Sequence, residues 1–137
     1  MSNRFFSPED VRLILLSSNL KLAEVYEKFF HSVGLKVVGK FVNSNEMISF
    51  LKRKNETLSS SLVMLLDLSS PEGKRAAKEL KEIDLGFRII LLTSESKSRL
   101  LEYEGLFDGV LYKPFTMDEL FYVIEKCTLG LRTNGNN

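Results

Sequence analysis

Five side chains with the chemistry to bind or transfer a phosphoryl group each follow a short run of largely apolar residues. They are Ser17, Ser18, Asp67, Thr93 and Lys113. A carboxylate can attack phosphorus, while a hydroxyl and an ammonium group stabilise the phosphoryl oxygens. If the fold brings these groups together, they form a phosphoryl-binding or phosphotransfer site.

Three of these residues also have a structural interpretation that involves no chemistry. Asp67 would cap the turn before Pro71. Thr93 would satisfy a loop amide, and Lys113 would be a solvated strand end. One of these residues alone is therefore weak evidence for a phosphoryl-binding site, and the prediction of such a site depends on all of them occurring together.

The sequence pattern around these residues predicts an α/β domain. The chain has 137 residues, of which 44% are hydrophobic and 27% charged, as is usual for one globular domain. Short runs rich in Leu, Ile and Val alternate with longer segments whose apolar residues recur at helical spacing. The predicted strands are Val11–Leu16, Leu35–Val42, Leu62–Leu66, Arg88–Leu92 and Gly109–Tyr112.

Five helices are predicted to separate and follow these strands, the fourth of them weak. Asn19, Asn43 and Thr116 are among the cap residues that mark where helices begin. The predicted apolar faces carry, in chain order, Leu22, Val25, Tyr26, Phe29 and Val33; Met47, Phe50 and Leu51; Ala77, Leu80 and Ile83; Leu100 and Leu101; and Met117, Leu120, Ile124 and Cys127. The residues left at the edges of these faces, Phe30, Phe121 and Tyr122, are assigned to a partner surface. His31 is expected to be solvated.

Four segments of the sequence resemble the motifs of response-regulator receiver domains, the CheY-like family. The segments are Leu13–Asn19, Leu66–Pro71 around Asp67, Ile89–Ser94 around Thr93, and Tyr112–Phe115 around Lys113. They occur in the family's order, and the resemblance extends over residues 11–129. It leaves residues 1–10 as an N-terminal extension and residues 130–137 as a polar tail or linker stub.

The resemblance implies both a fold and a role for each site residue. The fold is flavodoxin-like, a doubly wound five-stranded parallel sheet of order 2-1-3-4-5 with five helices. Asp67 takes the place of the aspartate that accepts phosphate from a histidine kinase. Thr93 takes that of the switch hydroxyl, and Lys113 that of the lysine that pairs with the phosphoryl group. The family motif also implies a cis peptide bond before Pro114.

Two departures from the family pattern make this receiver atypical. The acidic pair that holds Mg²⁺ in the family is replaced by Ser17 and Ser18. Asp67 and the Ser69 backbone carbonyl would then bind Mg²⁺ weakly at most, so no metal or other cofactor is predicted. The aromatic switch residue of the family is replaced by Val110, which has few side-chain conformations. With its acidic partners gone, Asp67 is expected to form an ion pair with Lys113 in the resting protein.

Charge and motifs together predict the partners. The formal charge of +1 gives no field that would hold nucleic acid, and the amino terminus offers no apolar run for a membrane. We therefore expect a cytoplasmic protein that is not an enzyme. Its partners would be a sensor histidine kinase or phosphotransfer protein and a downstream protein. It would form a homodimer through the fourth helix, the fifth strand and the last helix, where Arg99, Glu102, Asp118 and Lys126 supply charges of both signs.

Two alternatives from other functional classes stay open at this point. A flavin- or nucleotide-binding enzyme would hold a phosphate at the loop Ser17–Asn19, although that loop lacks the glycine that close backbone approach usually requires. A pseudo-receiver adaptor would keep Asp67 and Lys113 as a permanent ion pair and would never be phosphorylated.

Overall fold

A computed structural model describes residues 11–54, 62–83, 86–95 and 105–128 and shows strands and helices in alternation. In chain order these are β1 (Arg12–Ser17), α1 (Leu20–Ser32), β2 (Lys36–Phe41), α2 (Ser44–Lys54), β3 (Leu62–Asp67), α3 (Ser70–Ile83), β4 (Arg88–Thr93), β5 (Gly109–Tyr112) and α4 (Met117–Thr128). All five predicted strands are present, with ends that differ by one residue at most. The predicted fourth helix, with Leu100 and Leu101, lies outside the described residues, which contain four of the five predicted helices.

The five strands form one parallel sheet of order β2-β1-β3-β4-β5, as predicted. The central strand β3 is buried along its whole length because helices cover both faces of the sheet. In the sheet register, Ser17 lies opposite Asp67 on the neighbouring strand. Thr93 lies opposite Tyr112, the residue before Lys113. The parallel strands thus end together and bring the predicted site residues to one edge.

The helices divide into two layers, one on each face of the sheet. Ala23 and Phe30 of α1 share an apolar cluster with Leu120 and Ile124 of α4. On the opposite face, a second apolar cluster joins the buried side chains of α2 and α3, which are Met47, Leu51, Ala76, Ala77 and Leu80. Within the described part of the chain, no helix combines the length and apolar character needed to cross a membrane.

The predicted caps begin their helices with side-chain hydrogen bonds. Asn19 accepts a hydrogen bond from the Leu22 N–H at 3.1 Å and so fixes the first turn of α1. At α4, the Thr116 hydroxyl accepts from the Glu119 N–H at 3.1 Å, and the Glu119 carboxylate accepts from the Thr116 N–H at 2.8 Å. This reciprocal capping box determines where α4 starts, directly after the segment that carries Lys113.

The predicted buried face of α1 is correct for Tyr26 and Val33, which pack against the core, but wrong for Val25 and Phe29. Phe30 is fully buried, whereas Val25 is 60% exposed and Phe29 is 41% exposed. Ala23, which the prediction passed over, is buried because its small side chain lets the helix lie close to the sheet. Adjacent apolar residues such as Phe29 and Phe30 fit two helical faces equally well, so spacing alone could not choose between them.

The assignment of Phe30 and Phe121 to a partner surface is therefore also wrong. Phe121 is only 7% exposed and belongs to the cluster between α4 and the sheet. Tyr122, assigned to the same surface, is 38% exposed. Of these three aromatic residues, only Tyr122 is available to a partner.

Candidate functional site

Asp67 ends the central strand with its carboxylate at the edge of the sheet. It is 8% exposed, and five buried apolar residues precede it in β3. A carboxylate in such a position is costly to keep charged unless partners satisfy its oxygens. The neighbouring strands supply those partners.

Lys113 supplies the first partner, because its ammonium group forms an ion pair with Asp67 Oδ1. This confirms the predicted resting ion pair and excludes the interpretation of Lys113 as a solvated strand end. Burial alone lowers the pKa of Lys113, but the hydrogen bond to Asp67 and the charge of that carboxylate outweigh burial, so the pKa is raised. The Lys113–Pro114 peptide bond is cis, as predicted.

Ser17 supplies the second partner, which the sequence did not predict. Its buried hydroxyl donates a hydrogen bond to Asp67 Oδ2 at 2.9 Å and accepts one from the Asn19 N–H at 3.2 Å. Both carboxylate oxygens are therefore engaged, one by a charged donor and one by a neutral donor. Ser18, by contrast, is exposed and borders a cavity of about 110 Å³ whose lining includes Arg75.

Thr93 lies at the same sheet edge and is buried. Its hydroxyl oxygen accepts a hydrogen bond from the Glu95 N–H at 3.0 Å, which is the loop-amide role that the structural interpretation assigned to it. A hydroxyl that accepts this bond still has one proton to donate. The structural and the phosphoryl-binding roles of Thr93 are therefore compatible.

Glu95 is a residue that the sequence did not single out. Its carboxylate accepts hydrogen bonds from the N–H of Ser70 at 2.9 Å and from the Ser70 hydroxyl at 3.0 Å. These bonds tie the segment after β4 to the first residue of α3. A carboxylate 25 positions away in the sequence leaves no local signal of such a cap.

Tyr26 of α1 is a second unpredicted neighbour of the site, because its spacing indicated only a core position. The Lys113 ammonium lies over its ring, 5.9 Å from the centroid. The same ring stacks on Phe30 at 5.7 Å and on Phe115 at 6.4 Å. Burial and the charge of Asp67 raise the pKa of Tyr26, while Lys113 opposes that effect.

Val110 is buried on the opposite face of the sheet from Tyr26. It is 5% exposed and belongs to the apolar cluster that contains Leu91 and Phe107. Its side chain therefore serves the core between the sheet and the α2–α3 layer.

The residues around Asp67 do not fit a magnesium site. The carboxylate oxygens of Asp67 are engaged by Ser17 and Lys113. The Ser69 carbonyl accepts a hydrogen bond from the Gly73 N–H at 2.7 Å, within the first turn of α3. Among the described residues there is no group of three or more His, Cys, Asp or Glu side chains that could hold a metal ion. Weak or absent metal binding thus stays a prediction that requires measurement.

Two residues that the sequence placed outside the site lie where they were expected. His31 is exposed, and its ring Nε2 accepts a hydrogen bond from the Val37 N–H at 3.3 Å. Cys127 is buried in the core of α4, and burial raises the pKa of its thiol to about 12. A thiol with that pKa keeps its proton at neutral pH and is a poor nucleophile.

Comparison with known proteins identifies the fold. No protein-family model matches the sequence, and no curated protein matches it. A two-component response regulator of the LuxR family from an Aurantimonas species is similar at 25% identity with a TM-score of 0.71, over 89% of this chain and 87% of that chain. A receiver domain protein from Clostridium thermocellum is similar at 18% identity with a TM-score of 0.72, over 88% of this chain and 95% of that chain.

A chain of the CheX–CheY complex with BeF₃ and magnesium from Borrelia burgdorferi is also similar. The identity is 15% and the TM-score 0.68, over 83% of this chain and 86% of that chain. Together with the strand order, these similarities show that the chain is a CheY-like receiver domain in fold.

Proposed function

We propose that this receiver-fold chain is a two-component signalling module in which Asp67 accepts a phosphoryl group from a histidine kinase or phosphotransfer protein. One observation carries the proposal: Asp67 ends the central strand and its carboxylate is paired with the Lys113 ammonium. The output is binding to another protein. The module signals by its surface and is not an enzyme.

The transfer itself is a displacement at phosphorus. An Asp67 oxygen attacks the phosphorus of a phosphohistidine, the P–N bond breaks, and its electron pair stays on the imidazole nitrogen, which takes a proton from solvent. The attacking oxygen is Oδ2, because its partner is the neutral Ser17 hydroxyl, whereas Oδ1 is held by the Lys113 charge. Lys113 then balances part of the added negative charge, and the Thr93 hydroxyl has a proton to donate to a phosphoryl oxygen.

A phosphorylation-independent adaptor is the second candidate, and one observation favours it. Both Asp67 oxygens already have donors within the protein, and serines replace the acidic pair. A carboxylate satisfied in this way can serve as a permanent link between β1, β3 and the segment after β5. In that case the surface would bind its partner whatever the state of Asp67.

The nucleotide-binding alternative has less support from the geometry. Two of the three loop side chains that would hold a phosphate are engaged within the protein, since Ser17 contacts Asp67 and Asn19 caps α1. An absorbance band of bound flavin in the purified protein would support this alternative.

The proposed association surface lies on β5, α4 and the segment that contains Arg99 and Glu102, both outside the described residues. On α4, the Lys126 ammonium lies 5.2 Å from the centroid of the partly exposed Tyr122 ring. This pair offers an aromatic face and a positive charge side by side. A two-fold axis would let the charges of this surface pair reciprocally with a second copy.

Phosphorylation by a small-molecule donor separates the two leading candidates. Wild type, Asp67→Asn and Asp118→Asn are incubated with acetyl phosphate, with magnesium and with a chelator, and weighed by intact-protein mass spectrometry. We expect one added phosphoryl group on wild type and on Asp118→Asn, which removes an exposed carboxylate elsewhere, and none on Asp67→Asn. If wild type stays as unmodified as Asp67→Asn, the result contradicts the proposed phosphotransfer and favours the adaptor.

A further inference from the structure

The Lys113 ammonium lies between a carboxylate and an aromatic ring that belong to different elements. Asp67 at the end of β3 holds it by an ion pair. Tyr26 of α1 presents its ring face to it at 5.9 Å. The position of one charged group therefore depends on both the central strand and an outer helix.

The Tyr26 ring is itself held firmly. It stacks nearly parallel on Phe30, with an interplanar angle of 5°, and on Phe115, with an angle of 20°. Phe30 is a fully buried residue of the same helix, and Phe115 follows Lys113 by two positions. These two ring contacts hold Tyr26 in a defined position beside the ammonium group.

We infer that Tyr26 is a positioning residue for Lys113 and that it couples the charge of Asp67 to helix α1. The significance of this coupling for signalling rests on the proposed function, since phosphorylation is the event that would change that charge. The coupling itself does not, because the substitution Asp67→Asn removes the charge without any phosphoryl donor.

The physical basis is the shared ammonium group. The attraction between a cation and a ring face is electrostatic and depends on where the cation lies. When the charge of Asp67 changes, the attraction of the carboxylate for the Lys113 ammonium changes, and the ammonium moves relative to the Tyr26 ring. The energy of the cation–ring contact changes as a result. Val110, the position of the family's aromatic switch, packs in the other layer, so Tyr26 offers a different route from the site to an outer helix. That helix carries Val25 and Phe29 exposed on its surface.

A double-mutant cycle measures the coupling. Urea unfolding is recorded for wild type, Asp67→Asn, Tyr26→Leu and the double variant. Residues that share a partner couple measurably, so the effects of the two substitutions on the unfolding equilibrium constant should differ from additivity by about two-fold or more. The matched control is Tyr122→Leu with Asp67→Asn, because Tyr122 also faces a lysine ammonium, that of Lys126, but on the outer side of α4. The control pair should be additive.

Two further variants separate positioning from a merely structural role. In a Lys113→Met background the coupling between Tyr26 and Asp67 should vanish, because the shared ammonium is gone. Tyr26→Phe keeps the ring face and removes only the hydroxyl, through which Tyr26 also interacts with the Lys113 ammonium, so the part of the coupling that depends on the ring should remain. Additive effects in the first cycle, or coupling that persists in Lys113→Met, would overturn the inference whether or not Asp67 is ever phosphorylated.

If Tyr26→Leu does not fold, the ring resonances of Tyr26 give the readout in folded protein. They should shift between wild type and Asp67→Asn, while those of Tyr122 should stay in place. Unchanged Tyr26 resonances would contradict the coupling.

Discussion

Ser17 and Asp67 lie directly opposite each other on adjacent parallel strands, and the Ser17 hydroxyl donates a hydrogen bond to Asp67 Oδ2 at 2.9 Å. The bond is buried and joins residues 50 positions apart in the sequence. A neutral donor thus stands at a position where the receiver family has a metal-binding acid. The carboxylate is kept in place by side chains of the protein itself.

The first prediction concerns that hydrogen bond. Ser17→Ala leaves a buried carboxylate oxygen without its donor, so it should lower the free energy of unfolding by about 1.5–3 kcal/mol. Urea unfolding of Ser17→Ala and of Ser18→Ala tests this, since Ser18 is the exposed neighbour. The Ser18 variant should stay within about 0.5 kcal/mol of wild type. Equal effects of the two substitutions would show that the bond to Asp67 contributes nothing.

The second prediction concerns magnesium. Wild type should show no sub-millimolar Mg²⁺ binding by calorimetry, because the oxygens of Asp67 are engaged and serines occupy the acidic positions. Ser17→Asp places a second carboxylate beside Asp67, so it should destabilise the protein without metal and regain stability when Mg²⁺ is added. Tight binding to wild type that Asp67→Asn abolishes would contradict the prediction.

The third prediction concerns alkaline pH. The Cys127 thiol has a pKa of about 12 in the folded protein against an ordinary value of 9.0, so the unfolded chain loses this proton first. Stability should therefore fall as pH rises above about 9, and each unit of pKa difference contributes about 1.4 kcal/mol. The raised pKa of Lys113 acts in the same direction: its contribution is present below pH 10.5 and is lost as pH rises through the folded-state pKa.

Unfolding at several pH values separates these groups. Cys127→Ala should make the free energy of unfolding depend less on pH between about pH 9 and pH 10, before Lys113 titrates. Identical slopes for the variant and wild type would show that the thiol does not control this range.

The fourth prediction concerns association. If the chain forms dimers through β5 and α4, Tyr122→Ala should weaken association in sedimentation velocity, while Phe29→Ala, which removes an aromatic ring of similar exposure on α1, should not. Asp67→Asn should leave association largely unchanged, because Val110 cannot act as an aromatic switch. Loss of association in Asp67→Asn alone would show that the aspartate, and not the surface, controls assembly.

Phe121→Ala is unsuitable for that experiment because Phe121 is a core residue. Removing its ring leaves a cavity and should lower the free energy of unfolding by about 3–5 kcal/mol. A loss of association in Phe121→Ala would therefore reflect loss of the folded structure and not loss of an interface contact.

The sequence predicted the sheet and the ends of its strands well because both depend on local patterns. The unbroken apolar run before Asp67 identified a strand with helices on both sides, and the polar residues after each strand identified the site edge. Thr116 and Asn19 each bond to a backbone N–H three positions further along the chain, so their roles as helix caps could also be predicted from the sequence.

The unpredicted features depend on contacts between distant parts of the chain. Ser17 lies opposite Asp67 through strand register, and Glu95 bonds to Ser70 25 positions away in the sequence. Tyr26 reaches Lys113 only because α1 is rotated so that Ala23 and Phe30 face the sheet. Side-chain spacing fixes the period of a helix but not which of two neighbouring apolar faces turns inward.

Whether Asp67 is the phosphoacceptor is decided by locating the modified residue in the phosphorylated protein. Protein treated with acetyl phosphate is reduced with borohydride, which converts a phosphorylated aspartate to homoserine, and its peptides are sequenced by mass spectrometry. We expect homoserine at position 67 and aspartate at position 118 in the same sample. Unmodified aspartate at position 67, or homoserine at another position, would contradict it.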